Sequence, residues 1–353
     1  MKSSRIPKNK TLPGGKTPYK RRELLKGLAG IPLMAGFGGN LLKNLSPDRK
    51  DTNISSSRVS GPGLSEINGT LPEGRIGNIS FTRLMMGCNQ IGGWAHARDL
   101  IYADTLFKAY NTEQKVIETL HLGEQAGIGA TFMVNLYYPW FNRYLKEYRG
   151  KMKSICQTYI SQQDFLGDID KAIEYGATAL YIQGGEADRF VIDGKIAKLA
   201  KAIEHIKSKG FPAGMGAHSL EVIKVCEKEK IPVDFYVKTF HHDKYWSAHP
   251  KENRVEFSVV SDYSQDHNKF HDNIFDLFPD QTTGLMKNIK KPWIAFKVLA
   301  GGAIAPKDGL NYAFQNGADF ICLGMFDFQV VNNVNTAIDV LAKVKDRERE
   351  WYS

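Results

Sequence analysis

Two lysines stand inside otherwise apolar segments of this sequence. Lys238 lies within residues 234–240, and Lys297 lies within residues 293–299. Both segments have the length and composition of buried β-strands. An ammonium group between a sheet and its covering helices would carry a severe desolvation cost. We therefore expect both lysines to point into a common interior, where each takes part in catalysis or pairs with a carboxylate.

Polar residues also cluster just after several other apolar segments. Imidazole and carboxylate groups from neighbouring strands suit a divalent metal such as Zn²⁺ or Mn²⁺, and they leave positions open for water and substrate. Three side chains are predicted to bind this metal: Glu186, His218 and His242. Three groups around it are predicted to be catalytic: Lys238, Lys297 and Asp327. For each histidine, a hydrogen-bonded role without metal is the alternative.

The pair His241-His242 follows the first of the two lysines. Because side chains alternate across a strand, His242 shares the side of Lys238 and is the expected inward ligand. His241 belongs to a second group, at or just after the strand ends, that is predicted to bind substrate. This group comprises Asn89, Trp94, Asn135, Gln157, Gln183 and His241.

The elements that must position these residues alternate along the chain. Short apolar runs are separated by amphipathic segments with helical period, which is the pattern of parallel α/β folds. The runs are residues 83–88, 130–135, 154–159, 178–183, 213–218, 234–240, 293–299 and 319–324. Eight such units favour a single (β/α)8 TIM barrel, whose active site lies at the carboxyl ends of the strands. An open doubly wound sheet is the alternative, but no G-x-G-x-x-G follows the first run.

The net charge of +9 over 353 residues is located almost entirely at the amino terminus. Residues 1–43 hold ten lysines and arginines and one acid, which leaves the remaining chain neutral. The globular part therefore offers no basic surface to a nucleic acid. The apolar run 27–38 that follows the basic residues is too short to span a bilayer as a mature helix.

Residues 20–26, Lys-Arg-Arg-Glu-Leu-Leu-Lys, resemble the twin-arginine export signal. The resemblance implies a periplasmic or otherwise exported protein that meets the twin-arginine translocase, contacts the membrane only through this segment, and crosses it folded, often with a cofactor. A basic arm before a buried helix is the alternative. The predicted organisation is a signal segment at 1–42, a flexible linker at 43–75, the barrel at 76–345 and a tail at 346–353.

Three further resemblances concern the barrel. Val237-Lys238-Thr239, with Phe296-Lys297 and Gly301-Gly302, resembles the two-lysine arrangement of the deoxyribose-phosphate aldolase family, which implies a Schiff base at Lys238. Residues 84–94 are similar to the opening strand and loop of aldo-keto reductases, although the lysine and histidine of that family are missing from the third and fourth runs. Residues 92–102 resemble a loop of exported barrel proteins, a resemblance that supports fold and export and names no substrate.

The predicted function is that of an exported metal-dependent lyase, isomerase or hydrolase acting on a sugar or a sugar-derived carbonyl compound. Aromatic residues in the loops, such as Trp94, would stack on sugar rings. The alternatives are a Schiff-base enzyme using Lys238, an aldo-keto-reductase-like oxidoreductase, and a carbohydrate-binding barrel without catalysis. Gly301-Gly302 and Gly324 stand where many barrels bind phosphate, but in an exported enzyme we expect them to serve tight turns.

Overall fold

A computed structural model describes residues 61–96, 100, 102–160, 163–259 and 275–353. The predicted signal segment and residues 43–60 of the predicted linker lie outside the described residues. No helix in the described ranges has the length and apolar composition that a membrane crossing requires.

The described chain opens with a β-hairpin that the sequence analysis did not predict. Strands β1 (Glu73–Ile76) and β2 (Ile79–Thr82) pair antiparallel. The buried side chains of Ile76 and Phe81 join the apolar cluster inside the barrel, so the hairpin closes the amino-terminal end of the barrel. Ordered structure therefore begins before residue 75, where the predicted linker ends.

Eight parallel strands then close into a barrel, which confirms the predicted fold class. Each strand overlaps one of the eight apolar runs, and each pairs with the next in chain order, the last returning to the first. They are β3 (Leu84–Gly87), β4 (Ala130–Val134), β5 (Lys153–Thr158), β6 (Ala179–Ile182), β7 (Ala213–Ala217), β8 (Phe235–Thr239), β9 (Trp293–Phe296) and β10 (Phe320–Gly324).

Helices connect successive strands and cover the outside of the barrel. Polar caps start several of them; for example, the Ser219 hydroxyl accepts a hydrogen bond from the backbone N–H of Glu221. In the described chain the helices are α1 (Ala103–Tyr110), α2 (Glu113–Gln125), α3 (Tyr138–Glu147), α4 (Gly167–Glu174), α5 (Gly184–Ile192), α6 (Ile196–Ser208), α7 (Leu220–Lys228), α8 (Pro279–Met286), α9 (Pro306–Gln315) and α10 (Val330–Lys343).

Strand alternation divides the buried side chains into two cores. On β8, Phe235 and Val237 belong to the cluster inside the barrel, whereas Tyr236 and Phe240 belong to the cluster between the strands and the helices. Lys238 has the parity of the outer set. The prediction that Lys238 points into the barrel is therefore wrong, and its partners, described below, explain how the fold accommodates it.

The predicted tail, residues 346–353, is packed against the barrel rather than extended from it. The Arg349 guanidinium is buried, lies 2.6 Å from Oδ2 of Asp319, and donates to the backbone carbonyls of Ile289 and Gly317. The Trp351 ring lies beside two more guanidiniums, with Arg347 Cζ at 3.2 Å and Arg83 Cζ at 3.7 Å from its centroid. These contacts attach the carboxyl-terminal residues to the amino-terminal end of the barrel.

Candidate functional site

A cavity of about 450 Å³ opens at the carboxyl ends of the barrel strands. Six of the residues predicted from sequence contribute to its wall: Asn89, Trp94, Gln157, Gln183, His218 and Lys297. The described residues that line it include one lysine, Lys297, and no aspartate or glutamate. Aromatic rings, including Phe132, Phe275 and Phe296, form much of the remaining wall. The cavity therefore combines an apolar interior with a cationic side chain.

His218 follows β7 and is held by a buried carboxylate. Its Nδ1 lies 2.8 Å from Oδ2 of Asp188, whose two oxygens also accept the backbone N–H groups of His218 and Ser219. A carboxylate oxygen only accepts, so Nδ1 carries the proton and Nε2 presents a lone pair. Because His218 lines the cavity, Nε2 is the ring nitrogen available to a ligand.

The pKa of His218 lies below its usual value. Burial is the largest cause, and the Lys297 ammonium adds to it, while the hydrogen bond to Asp188 opposes both. The imidazole is consequently neutral at neutral pH, the form required of a general base.

Sequence reasoning missed Asp188, which is fully buried on α5. The signal that would have found it is an acid four residues after Gly184, on the helix face that turns towards the strands. Gly216 on β7 lets this face approach, since a Cβ there would lie 2.6 Å from the Gly184 nitrogen. The two glycines thus bring the first turn of α5 against the end of β7, where Asp188 meets His218.

Lys297 follows β9 and has a left-handed backbone, with φ 57°. This conformation breaks the strand alternation at the point where the side chain turns to the cavity wall. Its Nζ lies 4.0 Å from the centroid of the Phe275 ring and 5.9 Å from that of Phe296. The two rings give the ammonium a partly apolar setting.

Lys238, by contrast, does not line the cavity. It is fully buried, and its Nζ donates to the backbone oxygen and the hydroxyl of Thr239 and lies 3.3 Å from Oδ1 of Asp276. Thr282 donates a hydrogen bond of 2.8 Å to the same carboxylate oxygen. Burial raises the pKa of Asp276, and Lys238 opposes that rise. These contacts make Lys238 part of a buried ion pair that anchors the chain after β8.

Neither of the two adjacent histidines lines the cavity, although the sequence analysis predicted that His242 points inward and that His241 contacts substrate. His241 is fully buried; its Nδ1 donates to the His242 carbonyl, and its Nε2 accepts the backbone N–H groups of Phe275 and Asp276. Burial lowers the pKa of His241 to about 3. His242 instead packs edge-on against Tyr312 of α9, outside the barrel cavity. The chain turns after Thr239, so the strand period no longer applies to the histidines.

The predicted metal ligands are not brought together. Glu186 Oε2 accepts the backbone N–H of Ile160 at 2.5 Å, His218 is oriented by Asp188, and His242 faces α9. No group of three or more histidine, cysteine, aspartate or glutamate side chains in the described ranges has a geometry that could hold a metal ion. The prediction that Glu186, His218 and His242 together bind a metal is therefore corrected: the three side chains do not form one site.

Asp327 lies behind the cavity wall rather than in it. Its carboxylate accepts the Tyr110 hydroxyl at 2.6 Å and the Lys115 ammonium at 2.9 Å. Although burial alone would raise it, these two contacts hold the pKa of Asp327 below its usual value. In place of the predicted catalytic role, Asp327 attaches the loop after β10 to α1 and α2.

The predicted substrate-binding residues divide into two groups. Gln157 accepts the Tyr181 hydroxyl and donates to the Tyr159 hydroxyl, both at 2.7 Å, which fixes its amide within the cavity. Asn89 and His96 are joined by a hydrogen bond of 2.6 Å at the cavity rim.

The remaining members have structural contacts. The Gln183 side chain lines the cavity but caps α5 by accepting the backbone N–H of Glu186 at 2.7 Å. Asn135 is turned towards Asp168, to which it donates at 2.6 Å, and it does not line the cavity. Asn89, Trp94 and Gln157 therefore remain the predicted residues best placed to contact a ligand.

The fold and the cavity define the chain as a (β/α)8 barrel with a pocket at the carboxyl ends of its strands. Among similar solved structures is a provisionally assigned aldo-keto reductase from Pseudomonas aeruginosa, with a TM-score of 0.51, 12% identity, and coverage of 78% of this chain and 99% of that one. A point mutant of FabK from Thermotoga maritima has a TM-score of 0.38 and 12% identity, over 70% of this chain and 62% of that one.

No protein-family model matches the sequence. No curated protein matches it either. The similarity to the Pseudomonas aeruginosa structure establishes the barrel architecture and does not extend to its activity.

Proposed function

We propose that this protein is an enzyme that moves a proton on a small carbonyl compound, as a lyase or an isomerase. The observation that carries the proposal is the Asp188–His218 pair at a cavity whose permanent charge, among its described lining residues, is the Lys297 ammonium. A neutral, oriented imidazole and a fixed cation are the two groups that proton abstraction next to a carbonyl requires.

In the proposed reaction, His218 Nε2 removes a proton from the carbon next to the substrate carbonyl. The C–H electron pair forms a carbon–carbon double bond while the carbonyl π pair moves to oxygen. Lys297 stabilises the resulting enolate oxygen. In an isomerase acting on an α-hydroxycarbonyl compound, a proton passes from the α-hydroxyl to the enolate oxygen, and the electrons of the α-oxygen form the new carbonyl. The carbon–carbon π pair then takes the proton back from the imidazolium, which Asp188 stabilises, at the former carbonyl carbon. In a lyase, the enolate electrons expel a leaving group from the β-carbon, and the imidazolium proton neutralises it.

A sugar-derived carbonyl compound is the substrate class that we propose. The polar groups that line the cavity are mainly amides and hydroxyls, such as Asn89, Gln157 and Tyr159, which suit substrate hydroxyls. Trp94 at the rim is partly exposed and offers a ring face for packing.

A direct test is the incubation of the enzyme with a panel of aldoses, ketoses and their acids in D₂O. We expect deuterium incorporation next to a carbonyl, detected by ¹H NMR, and a loss of about 100-fold or more in His218→Gln, because general-base catalysis contributes factors of this size. Lys224→Gln, on the exposed face of α7, is the control for a substitution outside the cavity and should leave exchange unchanged. Undiminished exchange in His218→Gln would refute the assignment of the base.

A second candidate is Schiff-base chemistry at Lys297 rather than at Lys238. The supporting observation is that Lys297 lines the cavity, whereas Lys238 is fully buried and paired with Asp276. Borohydride with a carbonyl substrate, followed by peptide mass spectrometry, distinguishes the two roles. A reduced adduct on Lys297 would establish covalent catalysis; its absence, together with exchange activity that Lys297→Met abolishes, would establish the electrostatic role.

Export through the twin-arginine pathway is part of the proposal, on the strength of residues 20–26. In a cell with this pathway, we expect the full chain in the periplasmic fraction. Replacement of Arg21 and Arg22 by lysine should retain it in the cytoplasm. Periplasmic recovery of the double variant would contradict this route.

A further inference from the structure

The turn after β9 has an unusual backbone. Lys297, Ala300, Gly301 and Gly302 all have left-handed φ values, of 57°, 47°, 68° and 98°. For Ala300 such a conformation is costly, and costly backbone conformations concentrate at ligand sites. Leu299 is right-handed, with φ −101° and ψ 8°, so a right-handed residue precedes a left-handed one. In this arrangement successive backbone N–H groups converge on a concave site that suits an anion.

The turn is fixed by its own hydrogen bonds. Gly302 and Ile304 donate to the Leu299 carbonyl, and Ala300 donates to that of Lys297, at 2.9 to 3.1 Å. Gly309 of α9 packs directly beneath, since a Cβ there would lie 2.6 Å from the Val298 carbonyl oxygen. Within the described chain, neither the Leu299 nor the Gly301 N–H donates a hydrogen bond. These two N–H groups are the backbone donors that the turn offers to a ligand.

The turn also forms part of the main cavity. Leu299, Gly301 and Gly302 line it together with the Lys297 side chain. From the adjacent loop, Gln329 lines it too; its Oε1 accepts the Phe326 N–H, which leaves the amide Nε2 as a donor. The Lys297 ammonium in this wall favours an anionic group at the turn.

We propose that the Leu299–Gly302 turn is a subsite for a phosphate monoester, so that the cavity takes a phosphorylated ligand. A phosphate carries nearly two negative charges and several strong acceptor oxygens, which match a group of convergent donors better than a neutral hydroxyl does. Barrels frequently bind phosphate at this position. The sequence analysis expected Gly301-Gly302 to serve a tight turn. In this proposal the same turn also binds the anion.

The phosphate could belong to a phosphorylated carbonyl substrate or to a mononucleotide cofactor. The first source rests on the proposed function, because the phosphate would then orient the carbonyl towards Lys297 and His218. The second source agrees with export in the folded state, since a cofactor can be loaded before the protein crosses the membrane.

The test is binding measured by calorimetry with three probes: inorganic phosphate, dihydroxyacetone phosphate and riboflavin 5′-phosphate. Dihydroxyacetone and riboflavin are the controls without phosphate. We expect at least one phosphorylated probe to bind about tenfold or more tightly than its control. Preference for dihydroxyacetone phosphate identifies the substrate source, and preference for riboflavin 5′-phosphate identifies the cofactor source. Binding of inorganic phosphate without a preference for either phosphorylated probe over its control would overturn the phosphorylated ligand.

Gly302 offers a matched pair of variants. A Cβ added there meets no atom within 4 Å, so side chains have room, although φ 98° strains the backbone of any residue with a side chain. Asparagine and aspartate both carry this strain, so their comparison isolates the effect of charge. We expect Gly302→Asp to lose the phosphate preference through charge repulsion and Gly302→Asn to keep most of it. Equal binding by the two variants, or no phosphate preference in the wild type, would overturn the subsite.

The same measurements separate this inference from the proposed function. His218→Gln should keep the preference for the phosphorylated probe over its control while losing proton exchange. A wild-type enzyme that exchanges protons without any phosphate preference would refute only the subsite. Phosphate binding that depends on Gly302 in a protein with no exchange activity would refute only the proposed reaction.

Discussion

The imidazole of His218 donates a hydrogen bond of 2.8 Å from Nδ1 to Oδ2 of the Asp188 carboxylate at the end of β7. The same carboxylate receives two backbone N–H groups, so its position is fixed independently of the histidine. This arrangement selects one tautomer and directs the other ring nitrogen to the cavity.

The first prediction concerns the charge of His218. Burial and the Lys297 ammonium lower its pKa, so in an NMR titration we expect its midpoint to lie below that of an ordinary histidine. Because Asp188 raises that pKa, Asp188→Asn should lower it further and weaken the preference for the Nδ1–H tautomer. Lys297→Met should raise it. Opposite shifts in either variant would contradict the electrostatic account.

The second prediction concerns acid stability. His241 has a pKa of about 3 when folded and about 6.5 when unfolded, so between these values the unfolded chain binds more protons. Its contribution to the free energy of unfolding is therefore complete above about pH 6.5. It falls by about 1.4 kcal/mol for each pH unit below that.

Urea unfolding of the wild type and of His241→Gln at several pH values checks this slope. The variant should be less stable at pH 7, because two backbone N–H groups lose their acceptor. The difference between the two proteins should shrink as the pH falls towards 4. A constant difference would show that His241 does not titrate as its burial implies.

The third prediction concerns the buried pair of Lys238 and Asp276. Loss of one partner leaves the other charge without compensation, so Lys238→Met should lower the free energy of unfolding by about 3–5 kcal/mol. The double variant with Asp276→Asn should cost less than the sum of the two single changes, by about 1–3 kcal/mol. Additive costs in chemical unfolding would show that the ammonium and the carboxylate do not interact.

The fourth prediction concerns the carboxyl-terminal residues. Arg349→Met leaves the buried Asp319 carboxylate without its guanidinium, and we expect a loss of about 3–5 kcal/mol in unfolding free energy. Glu350→Gln, at an exposed neighbouring position, is the control and should change stability by less than about 0.5 kcal/mol. Wild-type stability in Arg349→Met would contradict the observed packing of residues 346–353.

Local sequence patterns were sufficient to predict the eight barrel strands and the end of the barrel at which the cavity lies. Each strand is a short apolar run between amphipathic helices, and parallel βα units leave their polar residues at the carboxyl ends. The β1–β2 hairpin was missed because its strands follow a polar segment with no hydrophobic period.

The sequence by itself determined the barrel and placed His218 and Lys297 at its mouth. Only the tertiary structure decided that Lys238 lies outside the barrel, because Asp276, 38 residues away along the chain, supplies the charge that makes its burial tolerable. It likewise decided that the buried carboxylate of Asp188 orients His218, and that the backbone of residues 299–302 turns at the cavity wall. Strand period is a local property, whereas charge partners and backbone turns depend on which distant segments the fold brings into contact.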